Sequence, residues 1–226
     1  MCTRYVLHAS PAAIAAQFAL EEIPEILPRY NIAPSTLIPA IVASNHCRAI
    51  QFYQWGLVPS WAKDPSIATK LVMARGETVF EKPSFRGAAK YRRCLIPADG
   101  FFEWRTIGKQ KQPFYIHLRQ QELMAMGGLY EIWERPEGVI ASAAVITTES
   151  NALISQIHER MPVIIGPEDY DTWLDPYFQD HEAVGKLIRP YAADRMEMYP
   201  VTRLMGNPRF DNPEAIRPIE ATTLFD

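Results

Sequence analysis

Cysteine is scarce in this chain, with three residues at positions 2, 47 and 94 among 226. An odd number at wide spacing does not suggest a disulfide framework, and it does not fit the ligand spacing of a zinc site. We therefore expect no metal and no other cofactor. The composition instead predicts a protein of the reducing interior of a cell.

A large excess of one charge is also missing, since 23 basic residues face 26 acidic ones and the net charge is −3. A basic field over the whole surface is thus excluded, and contact with nucleic acid would need a local patch. No apolar run reaches the length of about 18 residues that suggests a membrane span, and no leader pattern opens the chain. These absences predict a cytoplasmic protein without a membrane partner, associated with the nucleoid if it is bacterial.

The chain opens with Met1-Cys2-Thr3-Arg4, and this start carries unusual chemistry. A methionine before a small residue is commonly trimmed, so that Cys2 would become the first residue. It would then carry an amine titrating at about 7.7–8.0 and a thiol titrating at about 8.5 on adjacent carbons. Against an aldehyde, the amine can form a Schiff base and the thiol can close a five-membered ring. Two groups held this close can lower a barrier by about 7–11 kcal/mol.

Apolar periodicity predicts one α+β domain over residues 1–226, with a strongly bent, mostly antiparallel sheet or barrel and helices on its outside. Short β-branched or aromatic runs bounded by turn residues predict the strands. These runs cover 37–43, 49–55, 94–96, 101–104, 114–118, 124–130 and 139–147. Capping residues and apolar spacing predict helices over 11–20, 148–161, 168–174 and 182–191.

Glu103 lies among aromatic residues in Phe101-Phe102-Glu103-Trp104. In a strand, Phe101 and Glu103 would share one face, where burial would raise the carboxyl pKa toward that of a general acid or base. Pairing with Arg92, Arg93 or Arg105 is the alternative. His158 is predicted at the end of the 148–161 helix, where it could shuttle protons or cap carbonyl groups.

Four cations and Tyr91 lie within residues 86–93, which read RGAAKYRR. Arginine binds phosphate and aromatic rings stack on bases, so this stretch is either a DNA contact or a soluble loop. Arg4 and Arg75 could extend it. Trp61 lies in a predicted loop and could wedge against a base stack or anchor the loop to the core, whereas Trp55 is predicted to be an anchor.

Several blocks together resemble the SOS response-associated peptidase (SRAP) family of abasic-site processing proteins. The resemblance extends from Met1 to about residue 219. It rests on MCTRY, RYNIAPS (29–35), QWGLVPSWAK (54–63), MARGET (73–78), SFRGAAKYRRCLIPADGFFEW (84–104), KQPFYI (111–116), TTESNALISQIHERMPVII (147–165) and PVT…GNPRFDNPEAIRPI (200–219).

The resemblance implies loss of Met1 and a thiazolidine crosslink from Cys2 to abasic sites in single-stranded DNA, which shields the lesion. The peptidase name refers to proposed self-removal of Met1. By matching residues, Cys2 is implied as the nucleophile, Glu103 as the proton carrier, and His158 as the group assisting ring opening and reversal. The implied DNA or pocket contacts are Arg4, Asn31, Trp61, Arg75 and Arg160, together with position 73, which is Met73 here. Arg86 is added as a DNA contact from the cationic stretch, and the expected form is a monomer.

Two residues depart from the family pattern. Met73 stands where asparagine is usual in the active site, and methionine cannot donate a hydrogen bond there. Thr3 stands where glycine is common, directly beside the nucleophile. Either crosslinking is slower in this protein, or a neighbouring residue takes over the role of the asparagine.

Two other functions are compatible with parts of the sequence. An N-terminal-nucleophile amidohydrolase of the glutamine amidotransferase type can also begin Met-Cys, with the thiol attacking and the amine acting as base. It would release ammonia from glutamine. A DNA-binding module without chemistry would account for Met73, and its salt-sensitive binding to single strands would survive loss of Cys2.

Overall fold

The computed structural model describes residues 3–22, 25–44, 47–136 and 138–219, and Cys2 therefore lies outside the described residues. Most of the described chain is built from strands, numbered in chain order. The strands are β1 (Tyr5–Leu7), β2 (Arg29–Ile32), β3 (Leu37–Ser44), β4 (Cys47–Trp55), β5 (Met73–Arg75), β6 (Arg93–Ala98), β7 (Gly100–Ile107), β8 (Gln110–Leu118), β9 (Met124–Arg135), β10 (Gly138–Glu149), β11 (Arg160–Pro162) and β12 (Met196–Pro200). The helices are α1 (Pro11–Phe18), α2 (Arg86–Tyr91), α3 (Tyr170–Leu174) and α4 (His181–Leu187).

A closed barrel forms the larger part of the fold. Its strands follow the order β10-β4-β3-β6-β9, and pairing of β9 with β10 closes the ring. All of these pairs are antiparallel except β10 with β4. Two short strands, β5 and β11, extend the sheet from β10. This architecture confirms the predicted α+β class with a bent, mostly antiparallel core.

A second sheet of five strands has the order β12-β8-β7-β1-β2 and is antiparallel throughout. The first strand of the chain, β1, lies between β2 and β7. Successive side chains of β7 point to opposite faces of the sheet and contact two different cores. Phe101 packs in the main core, while Phe102 packs in a smaller core with Val6 and Tyr115.

A close approach between β7 and β8 depends on Gly100. A Cβ atom at this position would lie 2.6 Å from the Tyr115 ring and 2.5 Å from the carbonyl oxygen of Ile116. No real side chain tolerates such contacts with backbone, so glycine allows the pairing that positions the start of β7.

The predicted anchor Trp55 is buried, and three of the four predicted helices are found in the structure, as α1, α3 and α4. Trp55 is 1% exposed, and its ring packs edge to face against Tyr5 with the centroids 5.4 Å apart. Ser10 caps α1 by accepting a hydrogen bond from the Ala13 amide, and Pro11 occupies the first helical position, as expected. None of the described helices has the length and hydropathy needed to cross a membrane.

The prediction of a helix over 148–161 is wrong. Thr147 and Thr148 continue β10 and pair with Pro162 and Met161 of β11. Asn151 accepts hydrogen bonds from the amides of two of the next three residues, and a single 3-10 turn follows at Ile154–Gln156. The spacing of the apolar residues is typical of a helix, but the conformation of this segment is determined by pairing of β10 with β11.

The stretch 86–93 is neither a loop nor a continuous cationic surface. Its first six residues form α2, and Arg93 begins β6 with only 3% of its surface exposed. The guanidinium of Arg93 donates to the carbonyl groups of Trp173 and Asp175 beside α3 and of Ala89 in α2, among others. Arg93 is therefore a structural residue that joins two helix ends, and it is not available to phosphate.

Candidate active site

Glu103 is the buried acid of the candidate site, with a side chain 1% exposed. It lies on β7, beside the strand that begins the chain. Tyr5 pairs with Phe101, and the Phe102 amide donates to the Arg4 carbonyl oxygen at 3.0 Å. Thr3 precedes Arg4 by one residue, and Glu103 follows Phe102 by one residue on the antiparallel neighbour. Cys2 is joined to Thr3 by a peptide bond, although its own position lies outside the described residues.

Burial raises the pKa of Glu103 to about 7. The cause is loss of hydration around the charged form, since the side chain is enclosed by the main core. The alternative pairing with an arginine is not observed for Arg92 or Arg93, because Arg92 pairs with Glu131 at 2.8 Å and Arg93 binds carbonyl groups. A carboxyl with this pKa holds both protonation states near neutral pH, as a general acid and base requires.

His158 lies beside Glu103 and is the more exposed of the two side chains. Its Nδ1 lies 3.9 Å from the nearer carboxylate oxygen, and its side chain is 22% exposed. The Arg160 amide, which can only donate, lies 3.0 Å from Nδ1. Nδ1 also lies 3.2 Å from the Arg160 carbonyl oxygen, so it accepts from the amide or donates to the carbonyl group according to the tautomer of the ring. Burial lowers the pKa of His158, so the neutral form predominates at pH 7.

Arg160 lies two residues further along, where β11 pairs with the end of β10. Its guanidinium binds both carboxylate oxygens of Glu77 and donates to the Thr147 carbonyl oxygen at 2.8 Å. Arg75 is the β5 residue paired with Thr147, and its side chain is exposed. Two arginines and one carboxylate thus lie at the same strand ends as His158.

Met73 begins β5, where it pairs with Val145 of β10. Its side chain is half-buried and packs against the main core. A thioether at this position offers no hydrogen-bond donor to a substrate. Met73 therefore lies on the same short strand as Arg75, two residues before it. This strand runs beside the part of β10 that includes Thr147, near the arginines and Glu77.

Arg4 and Asn31 form a second group that connects β1 and β2 to the loop at 205–210. The Arg4 guanidinium donates to the Asn31 side-chain oxygen at 3.1 Å. The Asn31 amide group donates to the carbonyl groups of Met205, Asn207 and Phe210. Asn31 is fully buried, so it fixes this loop beside the amino-terminal strand.

Trp61 and Arg86 meet in a separate shallow cleft on the surface. Trp61 is 55% exposed, and its indole nitrogen donates to the Pro83 carbonyl oxygen at 3.2 Å. Ser84, Arg86 and Arg92 line the cleft beside it. The described lining of this cleft does not include Glu103 or His158. Trp61 is therefore an exposed ring held in a fixed orientation, next to a cation.

Two contributors to the site were missed from the sequence, namely Glu77 and Thr147. Both bind the Arg160 guanidinium. Glu77 is separated from Arg160 by 83 positions, so no local pattern connects them. The only available signal was the charge of Glu77 two residues after Arg75, within MARGET. No group of three or more potential metal ligands occurs within the described ranges.

The raised pKa of Glu103 makes a prediction about stability. A carboxyl whose pKa is about 7 when folded and about 4.3 when unfolded makes the protein lose stability as pH rises between those values. We expect Glu103→Gln to be more stable than wild type at pH 8, by on the order of 1–3 kcal/mol, and about equal at pH 4. Urea unfolding at both pH values measures the difference.

Glu77→Gln is the control for that measurement, because Arg160 lowers the pKa of Glu77 by hydrogen bonding. A lowered carboxyl pKa stabilises the fold above the unfolded value and loses this effect in acid. The control variant should therefore be less stable than wild type at pH 8. A Glu103→Gln variant that is likewise less stable at pH 8 would contradict burial of a costly charge.

Known proteins resemble this chain over most of its length. The family model for SOS response associated peptidase (SRAP) matches residues 1–208. Abasic site processing protein YoqW of Bacillus subtilis is 42% identical over 96% of this chain and 99% of its own. Abasic site processing protein HMCES of Gallus gallus is 33% identical over 85% of this chain and 67% of its own.

The fold is similar to that of a crystal structure from Bacteroides thetaiotaomicron. That structure superposes with a TM-score of 0.85 at 27% identity and covers 97% of this chain and 100% of its own. The family match extends over Glu103, His158 and Arg160. The chain belongs to the SOS response associated peptidase (SRAP) family.

Proposed function

We propose that this protein captures abasic sites in single-stranded DNA through a covalent bond to Cys2. The observation that carries the proposal is Glu103, a buried carboxyl with a pKa of about 7, 3.9 Å from a neutral histidine and beside the amino-terminal strand. The relatives YoqW and HMCES are named abasic site processing proteins, which supports a DNA lesion as the substrate.

The reaction requires hydrolysis of the Met1–Cys2 peptide bond, by the protein itself, as the family name suggests, or by a host aminopeptidase. The freed amine then attacks C1′ of the ring-opened abasic sugar, where the carbonyl accepts the electron pair. The resulting carbinolamine loses water and forms a Schiff base. The Cys2 sulfur adds to the same carbon of the protonated Schiff base, which leaves the nitrogen as a neutral amine, and the thiol proton goes to a carboxylate base. The thiazolidine product forms with net loss of one water and no redox change.

Glu103 and His158 divide the proton transfers of this reaction. The protonated carboxyl of Glu103 gives its proton to the departing hydroxyl group, and the carboxylate then accepts one from the thiol. His158, whose Nδ1 lies against the Arg160 backbone, gives a proton to the sugar ring oxygen as the ring opens. Reversal uses the same groups in the opposite order.

Binding of the strand falls to local groups, because the net charge is negative. Arg75 and Arg160 lie at the strand ends beside His158, and Arg86 lies beside Trp61 in the exposed cleft. An exposed indole with cations nearby can stack on unpaired bases. Arg4 and Asn31 shape the loop next to the amino-terminal strand. Met73 replaces the side-chain amide of the asparagine that is usual at this position. In this proposal, loss of that hydrogen-bond donor slows capture.

Incubation of the mature protein with an oligonucleotide that contains one abasic site tests the proposal. We expect a product that survives denaturation with the single strand, and little product with the same lesion in duplex or with undamaged DNA. Release of ammonia from glutamine without such a product would instead support an amidohydrolase. Salt-sensitive binding without a covalent product would support a module that only binds DNA.

A further inference from the structure

Both outer nitrogens of the Arg160 guanidinium have partners in the structure, and their main partner is Glu77. The two outer nitrogens bind the two carboxylate oxygens of Glu77, and one of them also donates to Thr147. The remaining nitrogen, Nε, is buried and has no hydrogen-bond partner among the described residues. The fork formed by the two outer nitrogens is therefore occupied while Glu77 is bound, so a substrate phosphate cannot make two parallel hydrogen bonds to it.

The two members of this pair differ in exposure. The Arg160 side chain is 16% exposed, whereas the Glu77 side chain is 51% exposed. The carboxylate thus covers the side of the guanidinium that faces solvent, which is the side from which a DNA strand would approach. A carboxylate and a phosphate both accept the two parallel hydrogen bonds of an arginine fork. The two anions would therefore compete for one place.

We propose that Glu77 is a resident anion that a backbone phosphate of the bound strand must displace from Arg160. This inference rests on the proposed function, since the phosphate belongs to the DNA that the site captures. Glu77 keeps Arg160 ordered in the free protein and lowers its affinity for DNA. Arg75 is near enough to act on the Glu77 carboxylate electrostatically, so the displaced carboxylate keeps a cationic neighbour.

Binding of an undamaged single-stranded oligonucleotide by fluorescence anisotropy tests the displacement without the covalent reaction. If Glu77→Gln frees one cation for a phosphate, the slope of log affinity against log salt steepens by about 0.7. The same slope corresponds to about fivefold tighter binding near 0.1 M salt. Because the Glu77 side chain is half-exposed, the variant is expected to fold, and simple damage to the site would weaken binding rather than strengthen it.

Glu81→Gln is the matched control, because Glu81 is an exposed carboxylate four positions further along the same segment. The substitution removes the same charge as Glu77→Gln, but Glu81 makes no ion pair among the described residues. We expect its affinity to stay within about twofold of wild type. In the double variant Glu77→Gln with Arg160→Gln, the gain in affinity for the single strand should disappear, because Arg160 is the residue that would bind the phosphate.

Three results would overturn the displacement. Glu77→Gln could bind no better than Glu81→Gln, it could bind more weakly than wild type, or its gain could persist without Arg160. Any of these results would overturn the displacement alone. The proposed function would still stand if wild type captured abasic DNA in the same experiments. If wild type neither binds single strands nor captures the lesion, the proposed function fails and the role of Glu77 fails with it.

Discussion

Cys2→Ala should leave no DNA product that survives denaturation. The variant keeps an α-amine at position 2, so it can still form a Schiff base with the abasic aldehyde. It has no sulfur to close the ring, and the imine hydrolyses when the protein unfolds. Reduction with borohydride before denaturation should recover that imine as a stable secondary amine. A denaturing gel with and without borohydride shows both outcomes.

Cys47→Ala is the matched control for this experiment. Cys47 is a partly exposed thiol elsewhere on the protein, and as an internal residue it carries no free amine. The Cys47 variant should give the same product as wild type. If a stable product formed with Cys2→Ala, or if loss of Cys47 abolished it, capture through the paired amine and thiol would be excluded.

Glu103→Gln should slow capture by about 10²- to 10⁴-fold, the usual contribution of a general acid or base. Glutamine keeps the shape of the side chain but cannot exchange a proton near neutral pH. The wild-type rate should change with an inflection near pH 7, where the Glu103 carboxyl titrates, and the variant should lack that inflection. Quenched time courses of product formation between about pH 5 and 9 give both results.

Glu134→Gln serves as the charge control, because Glu134 is an exposed residue on β9. Its rate and pH profile should match those of wild type. A Glu103→Gln variant with an unchanged rate, or one that keeps the inflection near pH 7, would assign the proton transfers to another group. Since the same substitution is expected to stabilise the fold at pH 8, a slow rate could not be ascribed to unfolding.

The strands were predictable because the information for them is local. Alternation in Phe101-Phe102-Glu103-Trp104 correctly separated the two faces of β7, since the side chains of a strand alternate strictly. The same alternation predicted that Glu103 would be buried. The barrel closure was not predictable in detail, because pairing of β4 with β10 joins segments that are distant in the sequence.

The errors share one physical cause, namely contacts between distant segments. Leu153, Ile154 and Ile157 have helical spacing, yet their segment connects two strands that pair with each other. Arg93 was grouped with surface cations, yet carbonyl groups from residues about 80 positions away hold it in the interior. The charge and apolar periodicity of one segment do not indicate which distant segments it will contact.

The roles of the site residues were inferred from the family resemblance and from the chemistry of each residue. The structure adds the distance between Glu103 and His158, the contact of His158 Nδ1 with the Arg160 backbone and the Glu77 partner of Arg160. The roles of all the site residues stay predictions, including those of Trp61 and Arg86 in DNA binding. Those two residues lie in a cleft whose described lining is separate from the buried acid.

Intact-mass measurement of the purified wild-type chain, before and after exposure to abasic single-stranded DNA, tests the central claim most directly. The account predicts a starting mass without Met1 and a product equal to protein plus oligonucleotide less one water. A chain that retains Met1 and still forms the adduct would contradict it. A chain with a free Cys2 that gains no mass would contradict it equally.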